Sequence, residues 1–366
     1  MASSNSHLTL SSSASPKTES DIRISAIDIG SNSIRQTIAD VSPSGAIRVV
    51  DEMKAAPRLG AGLYERGRLG ELAVQGALVA LTRMATLAKQ LGVKRSEAVA
   101  TSAVRDAENG EQFLQLVRGE TGLSVRVLNG EDEARLAFRS ALAHFDLAAG
   151  RAVVMDIGGG SLELTLSADG LVERVISLRL GAIRMTERYL EGAGQKKKAL
   201  RKLRKHVREE LREHLPARHW HAARIICSGG TFTSLAAIHL ARSGMEIAKT
   251  VHGTVIPRID LEHLVDLLHN MSPEERQAVP GLNPARSDII VGGLAVAAEV
   301  AARVEARELV VSSYGIREGL LLETAQVIPF PADPGEARER SVRELAERSH
   351  FEAPHSRHVQ KLALQL

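Results

Sequence analysis

Two loops of closely related sequence constrain this chain more than any other feature. Asp28-Ile29-Gly30-Ser31-Asn32-Ser33 and Asp156-Ile157-Gly158-Gly159-Gly160-Ser161 each end one β-type run and open the next. Around the first loop, Ile22 to Ile29, Ile34 to Val41 and Ala46 to Val50 read as three strands, the third entered through the turn signal Ser42-Pro43-Ser44-Gly45. Apolar recurrence at three and four makes Leu69 to Leu91 a helix. Ala98 to Thr101 then reads as a strand, Glu111 to Glu120 as a helix, Ser124 to Leu128 as a strand and Glu131 to His144 as a helix. The order then starts again. Ala152 to Ile157, Leu162 to Leu166 and Val172 to Leu178 are strands, Thr186 to His214 is helical, Ile225 to Cys227 is a strand and Thr233 to Ala241 a helix. After an inserted section, Leu309 to Ser312 is a strand and Ile316 to Ala325 a helix. A repeat of both motif and element order predicts a duplicated α/β domain with a cleft between the copies.

Glycine in such loops lets backbone N–H groups approach a phosphate with no side chain intervening. Neither loop is a dinucleotide fingerprint, because there the glycines open a helix. Here Leu162-Glu163-Leu164-Thr165-Leu166 alternates with period two, so Gly158 to Gly160 sit at a hairpin tip. Ser161, Glu163 and Thr165 share one face of the strand that follows. A tight turn would also use these glycines. Two Asp-Ile-Gly loops at matching positions favour phosphate binding, by Gly30, Ser31, Asn32 and Ser33 and by Gly158, Gly159, Gly160 and Ser161. A third turn, Ser228-Gly229-Gly230-Thr231, precedes a helix whose amino terminus is another anion site, with Gly229, Gly230 and Thr231 as contacts.

Asp28 and Asp156 precede these loops at strand ends. A carboxylate beside a phosphate is repelled unless a cation lies between them, and Mg²⁺ is the usual solution. Glu163 lies across the hairpin from Asp156, so both can reach one ion; Asp28 joins this set or simply caps its turn. Asn129-Gly130-Glu131-Asp132-Glu133 opens a helix, and dipole compensation explains acids in a first turn. Glu133 differs in placement, because this helix joins the two halves and presents it to the cleft. The dipole would keep it ionised, which suits a general base for water.

Composition narrows the class. Forty-seven basic residues against forty-four acidic ones give a net charge of +3, which does not call for nucleic acid. Positive charge is concentrated in Lys196 to His214, including Lys196, Lys197, Lys198, Arg201 and Lys202. This is either a solvated helix face or a docking surface for a polyanion. A single cysteine excludes an internal disulfide and a thiolate zinc site and fits a reducing cytoplasm. No apolar run approaches the ~18 residues of a membrane span. Residues 1–21 read as a disordered Ser-rich leader rather than a secretory signal. Pro329, Pro331 and Pro334 mark a linker over 329–340, and 341–366 reads as the start of a further helical domain that is cut off at Leu366.

The residues resemble the exopolyphosphatase/guanosine pentaphosphate phosphatase (Ppx/GppA) family. The matching blocks are Ala26 to Ser33, Ala100-Thr101-Ser102-Ala103-Val104-Arg105-Asp106-Ala107, Asn129 to Ala134, Val154 to Leu164, Ser177 to Ala182, Gly229 to Thr231, Pro280 to Gly293 and Ser312 to Leu320. They run in family order and are specific as a set. The resemblance implies an actin-like ATPase fold of two ribonuclease H-like domains, about 22–132 and 133–313, with 314–328 packing back onto the first. It implies Glu133 as catalytic base, Asp156 and Glu163 as Mg²⁺ (or Mn²⁺) ligands, Gly30 to Ser33 and Gly158 to Ser161 as phosphate loops, and Arg105 as a phosphate-facing arginine. Asp132 stands where the family often has Glu. Residues 341–366 resemble the start of the HD-like helical half of long members. His355 sits where an HD domain places its first histidine, but no His-Asp pair follows. Long members use that half to dimerise and to hold extended polyphosphate.

The expected activity is hydrolysis of a terminal phosphoanhydride with release of orthophosphate. Polyphosphate is the favoured substrate, on the basic stretch and the long-form tail; guanosine pentaphosphate presents the same terminal group and is the alternative. A kinase on this fold would need a nucleoside pocket and an acceptor site, which the sequence does not identify. A non-catalytic polyphosphate-binding module is the third reading.

Overall fold

The computed structural model describes residues 21–147, 150–192, 196–220, 224–244 and 251–327. The leader to Ser20, the linker and the HD-like segment lie outside these residues. Two twisted sheets organise the chain. The first holds β1 (Ile22–Ile29), β2 (Ile34–Val41), β3 (Ile47–Ala55), β4 (Arg95–Ala100) and β5 (Val125–Val127), in the order β3-β2-β1-β4-β5. The second holds β6 (Arg151–Ile157), β7 (Leu162–Ala168), β8 (Leu171–Leu178), β9 (Arg224–Ser228), β10 (Val255–Pro257) and β11 (Glu308–Val311), in the order β10-β11-β9-β6-β7-β8. In each sheet three antiparallel strands meet two parallel ones, and the order is the same apart from the added edge strand β10. This is the duplicated ribonuclease H-like topology of the actin-like ATPase fold.

The duplication extends to single hydrogen bonds. Gly30 N–H donates to the Ser33 carbonyl at 3.1 Å and Gly158 N–H to the Ser161 carbonyl at 3.0 Å. Across the first hairpin Asp28 faces Arg35; across the second Asp156 faces Glu163. The two pairs hold the same register positions, with a cation in one copy and a carboxylate in the other.

The first sheet carries α1 (Leu63–Arg66), α2 (Glu71–Gln90), α3 (Ser102–Asp106) and α4 (Gly110–Thr121); α2 and α4 cover one face through Leu81, Met84, Phe113 and Val117. Its other face meets α5 (Gly130–His144) and α12 (Ile316–Thr324), where Leu136 and Leu320 to Leu322 pack on Ile24, Ala26 and Ala39. α5 also packs on β6 through Ala137, Phe138, Ala141 and Val154, so one helix serves both sheets. The second sheet is completed by α6 (Ala182–Tyr189), α7 (Lys196–His214), α8 (Gly230–Arg242), α9 (Arg258–Asn270), α10 (Pro273–Gln277) and α11 (Ile290–Arg303). None of the described helices is long and apolar enough to cross a membrane.

Three expectations need correction. The helical stretch from Thr186 to His214 is two helices, because the chain turns at Gly192, which adopts the left-handed φ of 63° that glycine tolerates. The inserted section is no appendage: it supplies α9 and α11. Apolar round most of its surface, with Glu299 the exception, α11 is buried from Ile290 to Ala301 and forms the centre of the second core. The five-residue α3 escaped a reading based on periodicity, because it is too short to show one.

At Gly319 α12 lies backbone-to-backbone on α5, and a Cβ there would overlap the Leu136 carbonyl. Gly319→Ala is therefore expected to cost about 1–3 kcal/mol through overpacking. Gly76 in α2 has only Pro57 Cβ nearby, 3.5 Å from where its own Cβ would lie, so Gly76→Ala should gain up to about 1 kcal/mol of helix propensity. Thermal unfolding of both variants checks this; equal shifts in Tm would contradict the close crossing.

Candidate active site

The two hairpin loops face each other across the cleft. A Cβ on Gly159 would lie 2.6 Å from Ser31 Cβ, and one on Gly160 would overlap Tyr64 and Ser102, so only glycine lets the loops approach this closely. Between them lies a cavity of about 120 Å³ lined by Gly30, Ser31, Asn32, Ser33, Gly158, Gly159, Ser161, Gly229 and Gly230 together with Asp28, Glu133, Asp156 and Glu163. The structure thus brings to one place most of the residues singled out in the sequence. Gly160 is absent from this lining and buried against Tyr64 and Ser102, its carbonyl accepting from Arg184 Nε at 2.9 Å. The Thr231 side chain packs instead toward Gly293 of α11.

Glu133 reaches the cavity because of how α5 begins. The Asn129 side chain accepts from Asp132 N–H at 2.9 Å and caps the helix. Glu131 points to solvent, whereas Glu133 is 3% exposed. The Thr165 hydroxyl donates to the Ala134 carbonyl at 3.4 Å and ties this turn to β7, which also carries Glu163. Arg105, the last residue but one of α3, donates to the Leu128 carbonyl at 2.7 Å and pairs directly with Glu133. Glu163 accepts from Ser177 Oγ at 2.8 Å.

Burial sets the electrostatics. It pushes Asp28 and Asp156 each up to about 6, Asp156 also through the charge of Asp28. Burial raises Glu163 well above the usual carboxylate range, with Glu133 and Asp156 adding to it. It likewise raises Glu133 to about 8, against the opposing pull of Arg105. This corrects the expectation that the helix dipole keeps Glu133 ionised: a dipole contributes about 0.3–1 kcal/mol at a surface, and desolvation among like charges outweighs it.

Three arginines complete the site, and none was singled out in the sequence. Arg35, Arg286 and Arg317 all line the cavity. Burial lowers Arg35 and Arg286, the latter to about 10, with the charge of Arg35 next. Arg286 lies so close to Gly230 that a Cβ there would overlap its guanidinium. Arg317 donates to Thr37 Oγ1 at 2.7 Å. Arg35 had a readable signal, since it stands in the first hairpin where Glu163 stands in the second. Arg286 and Arg317 come from distant segments; both lie in blocks that carry the family resemblance, Pro280 to Gly293 and Ser312 to Leu320, but no local pattern picks them out within those blocks.

Asp28, Asp156 and Glu163 offer the hard oxygen donors that Mg²⁺ or Mn²⁺ prefers. Asp28 Oδ1 is buried without a hydrogen-bond partner, which fits a group awaiting a cation. Among the described residues, however, no three His, Cys, Asp or Glu side chains converge closely enough to hold a metal ion by themselves. The site therefore suits an ion held by one or two carboxylates, with water and phosphate oxygens completing the shell.

The basic stretch on α7 lies outside the cavity. Lys197, Lys198, Arg201 and Lys202 are exposed, and Lys196 lines a neighbouring groove. Arg204 and Arg208 are committed to Glu299, with Arg204 also held by Glu262 at 2.9 Å, so they are not free for a polyanion.

With this geometry in place, the likeness to known proteins is informative. Residues 37–327 match the model of the Ppx/GppA phosphatase family. Exopolyphosphatase 2 of Mycobacterium tuberculosis is 33% identical over 316 residues, covering 83% of this chain and 98% of that protein. The crystal structure of the Aquifex aeolicus Ppx/GppA family member superposes with a TM-score of 0.70 at 30% identity, covering 84% of this chain and 98% of that one. An exopolyphosphatase structure from Cytophaga hutchinsonii gives 0.76 at 25% identity, covering 84% and 100%. The chain belongs to the Ppx/GppA phosphatase family and is a phosphoanhydride hydrolase.

Proposed function

We propose that this protein is a cytoplasmic exopolyphosphatase that removes the terminal phosphate of inorganic polyphosphate, with Glu133 as general base and Mg²⁺, or Mn²⁺, as cofactor. The observation that carries the reading is the position of Glu133, buried at the floor of a cavity whose walls are two phosphate-loop hairpins. Asp156 and Glu163, with Asp28 beside them, would hold the ion, which supplies positive charge to the phosphate oxygens. Backbone N–H groups of the two loops and the guanidinium groups of Arg35 and Arg286 face the same space and stabilise charge on the transferring group. Glu133 takes a proton from water as the water oxygen bonds to phosphorus and the bridging oxygen leaves with the shortened chain. A base with a pKa near the working pH is the most effective for this step. Before substrate arrives Arg105 is paired with Glu133. Phosphate oxygens compete for that guanidinium, and its release frees the carboxylate for water.

The choice of polyphosphate over guanosine pentaphosphate rests on what lies beside the cavity. A groove of about 1250 Å³ adjoins it at Ile289 and is lined by Arg58, Arg66, Arg184, Arg188, Lys196 and Arg276. Glu65, Glu187, Glu191 and Asp288 offset part of this charge and leave the lining net positive. Tyr64, the ring in this groove on which a base would stack, is already covered by Arg184, with its Cζ 3.7 Å from the ring centroid. Phosphate release from long polyphosphate, tripolyphosphate and guanosine pentaphosphate at matched ends tests the choice. Faster release from the guanosine compound would reverse it.

Glu133→Gln keeps the shape but cannot accept the proton, so turnover should fall by about 10²–10⁴ while affinity holds or rises. A variant retaining more than a tenth of the wild-type rate would remove Glu133 as the base.

The buried carboxylates also link stability to pH. Their raised pKa values mean that the folded protein keeps protons the unfolded chain has released. The Asp28 and Asp156 contributions are therefore full below 3.8, decline as pH rises, and are lost through about 6; that of Glu133 is lost through about 8. A cation bound there replaces those protons. Mg²⁺ should accordingly raise Tm at about pH 8 and have little effect near pH 5. An equal gain at both pH values would exclude these carboxylates as ligands, and Asp156→Asn should abolish most of the gain.

Reversing the charge of Lys196, Lys197 and Lys198 is expected to weaken binding of long polyphosphate more than of tripolyphosphate, with a shallower salt dependence as fewer counterions are released. Unchanged binding of both lengths would make the α7 face a solvated surface only.

A further inference from the structure

Arg184, on α6, lines the groove beside the cavity, and it also makes contacts that the reaction as derived does not use. Its three sets of contacts all lie at the junction of the two halves. Nε donates to the carbonyl of Gly160, in the second phosphate loop, at 2.9 Å. Nη2 pairs at 2.5 Å with Asp106, the last residue of α3 on the first sheet. The guanidinium face covers Tyr64 of α1. Asp106 in turn stands 3.8 Å from Nε of Arg105, through its other oxygen, and Arg105 holds Glu133. Arg184 and Asp106 are largely buried, their side chains 15% and 16% exposed. An unbroken chain of charges thus runs from the backbone of one phosphate loop, across the cleft, to the carboxylate that meets water.

We infer that Arg184 and Asp106 are positioning residues that couple closure of the cleft to the alignment of Arg105 and Glu133. Asp106 Oδ1 stands at ion-pair distance, 3.8 Å, from Nε of Arg105, without a hydrogen bond, while Nη1 is on Glu133. When a terminal phosphate draws Nη1 away, Asp106 keeps the guanidinium in place rather than letting it follow the substrate. Arg184 keeps Asp106 there only while the two halves are together, because its other anchor is the loop opposite. Two further bridges hold the same side of the cleft: Arg58 pairs with Asp288, and Gly62 N–H donates to Glu187 Oε1 at 2.7 Å. Neither reaches a residue that contacts Glu133. The coupling therefore belongs to Arg184 and Asp106, and the other bridges only hold the halves together.

This inference rests on the assignment of Glu133 as base, and the test separates the two. Phosphate release from long polyphosphate is measured for wild type, Arg184→Gln, Asp106→Asn, the double variant, and the conservative Arg184→Lys and Asp106→Glu. Lysine keeps the charge but lacks the fork that reaches both Asp106 and the Gly160 carbonyl. Misplacement of about 1 Å can cost on the order of 10²-fold in rate. Each neutral single variant should therefore lose about 10–100-fold in kcat; Asp106→Asn, which leaves the groove lining intact, should change KM less than about threefold, whereas Arg184→Gln also removes a groove cation and raises KM for long polyphosphate. The double variant should be no slower than the slower single, because both break one link. Arg184→Lys should be slow at unchanged Tm, and Asp106→Glu should recover part of the rate. A kcat within about twofold of wild type in Arg184→Lys would overturn the inference, as would losses that multiply in the double variant. If Arg184→Gln fails to fold, Arg184→Lys decides. If wild type releases no phosphate from polyphosphate, the functional reading fails, and amide exchange in the free protein judges the link. Faster exchange at both Ser102 to Asp106 and Gly158 to Ser161 in Arg184→Lys supports it; unchanged exchange refutes it.

Discussion

Asp28, Glu133, Asp156 and Glu163 line a single small cavity, all of them largely shielded from water, and every other feature of the site answers that arrangement. Like charges at close range in a poorly solvated space cannot all ionise without partners. The structure meets this with cations from separate parts of the chain: Arg35 across the first hairpin, Arg105 from the end of α3, Arg286 before α11 and Arg317 in α12. The carboxylates that remain short of partners, above all Asp28 with its orphaned Oδ1, are the ones suited to a divalent cation. That mixture of buried carboxylates and arginines is what supports the proposal of a polyanionic substrate bound together with a metal ion.

The scaffold keeps these charges in register through two helices between the sheets. α5 packs on both sheets, and α12 crosses it at Gly319 with no room for a side chain. Glu133 lies in the first turn of α5 and Arg317 in that of α12. Arg317 and the proposed base Glu133 therefore enter from elements fixed by apolar packing rather than by loops. This matters because catalysis by positioning tolerates little displacement. The opposite side of the cleft is held by polar bridges, Arg184–Asp106, Arg58–Asp288 and Gly62–Glu187, which are easier to make and break than a packed core.

Duplication followed by divergence at one position explains much of the chemistry. The hairpins share their strand pairing and the turn hydrogen bond from glycine to serine, yet the residue facing the aspartate is Arg35 in one and Glu163 in the other. On the reading proposed above, one copy would offer a cation to phosphate and the other a second oxygen ligand to metal, two functions that require opposite charges.

Local sequence determined a good deal. β-type runs marked β1, β2 and β6, period-two alternation marked β7, glycine placement marked the hairpin tips, and the paired Asp-Ile-Gly loops indicated the duplication. The acid-rich start of α5 marked Glu133 as a residue beyond ordinary dipole compensation. These features are legible because they depend on neighbours a few residues apart. Tertiary structure alone decided the rest. α11 reads as part of an insertion but lies at the centre of a core, because an element apolar round most of its surface has no single face to point with. Arg286 and Arg317 carry no local signal, since what makes them part of the site is a cavity assembled from segments hundreds of residues apart. The environment of Glu133 is decided in the same way. A helix dipole can be inferred from sequence, but desolvation depends on what the completed fold packs around the carboxylate, and here it outweighs the dipole.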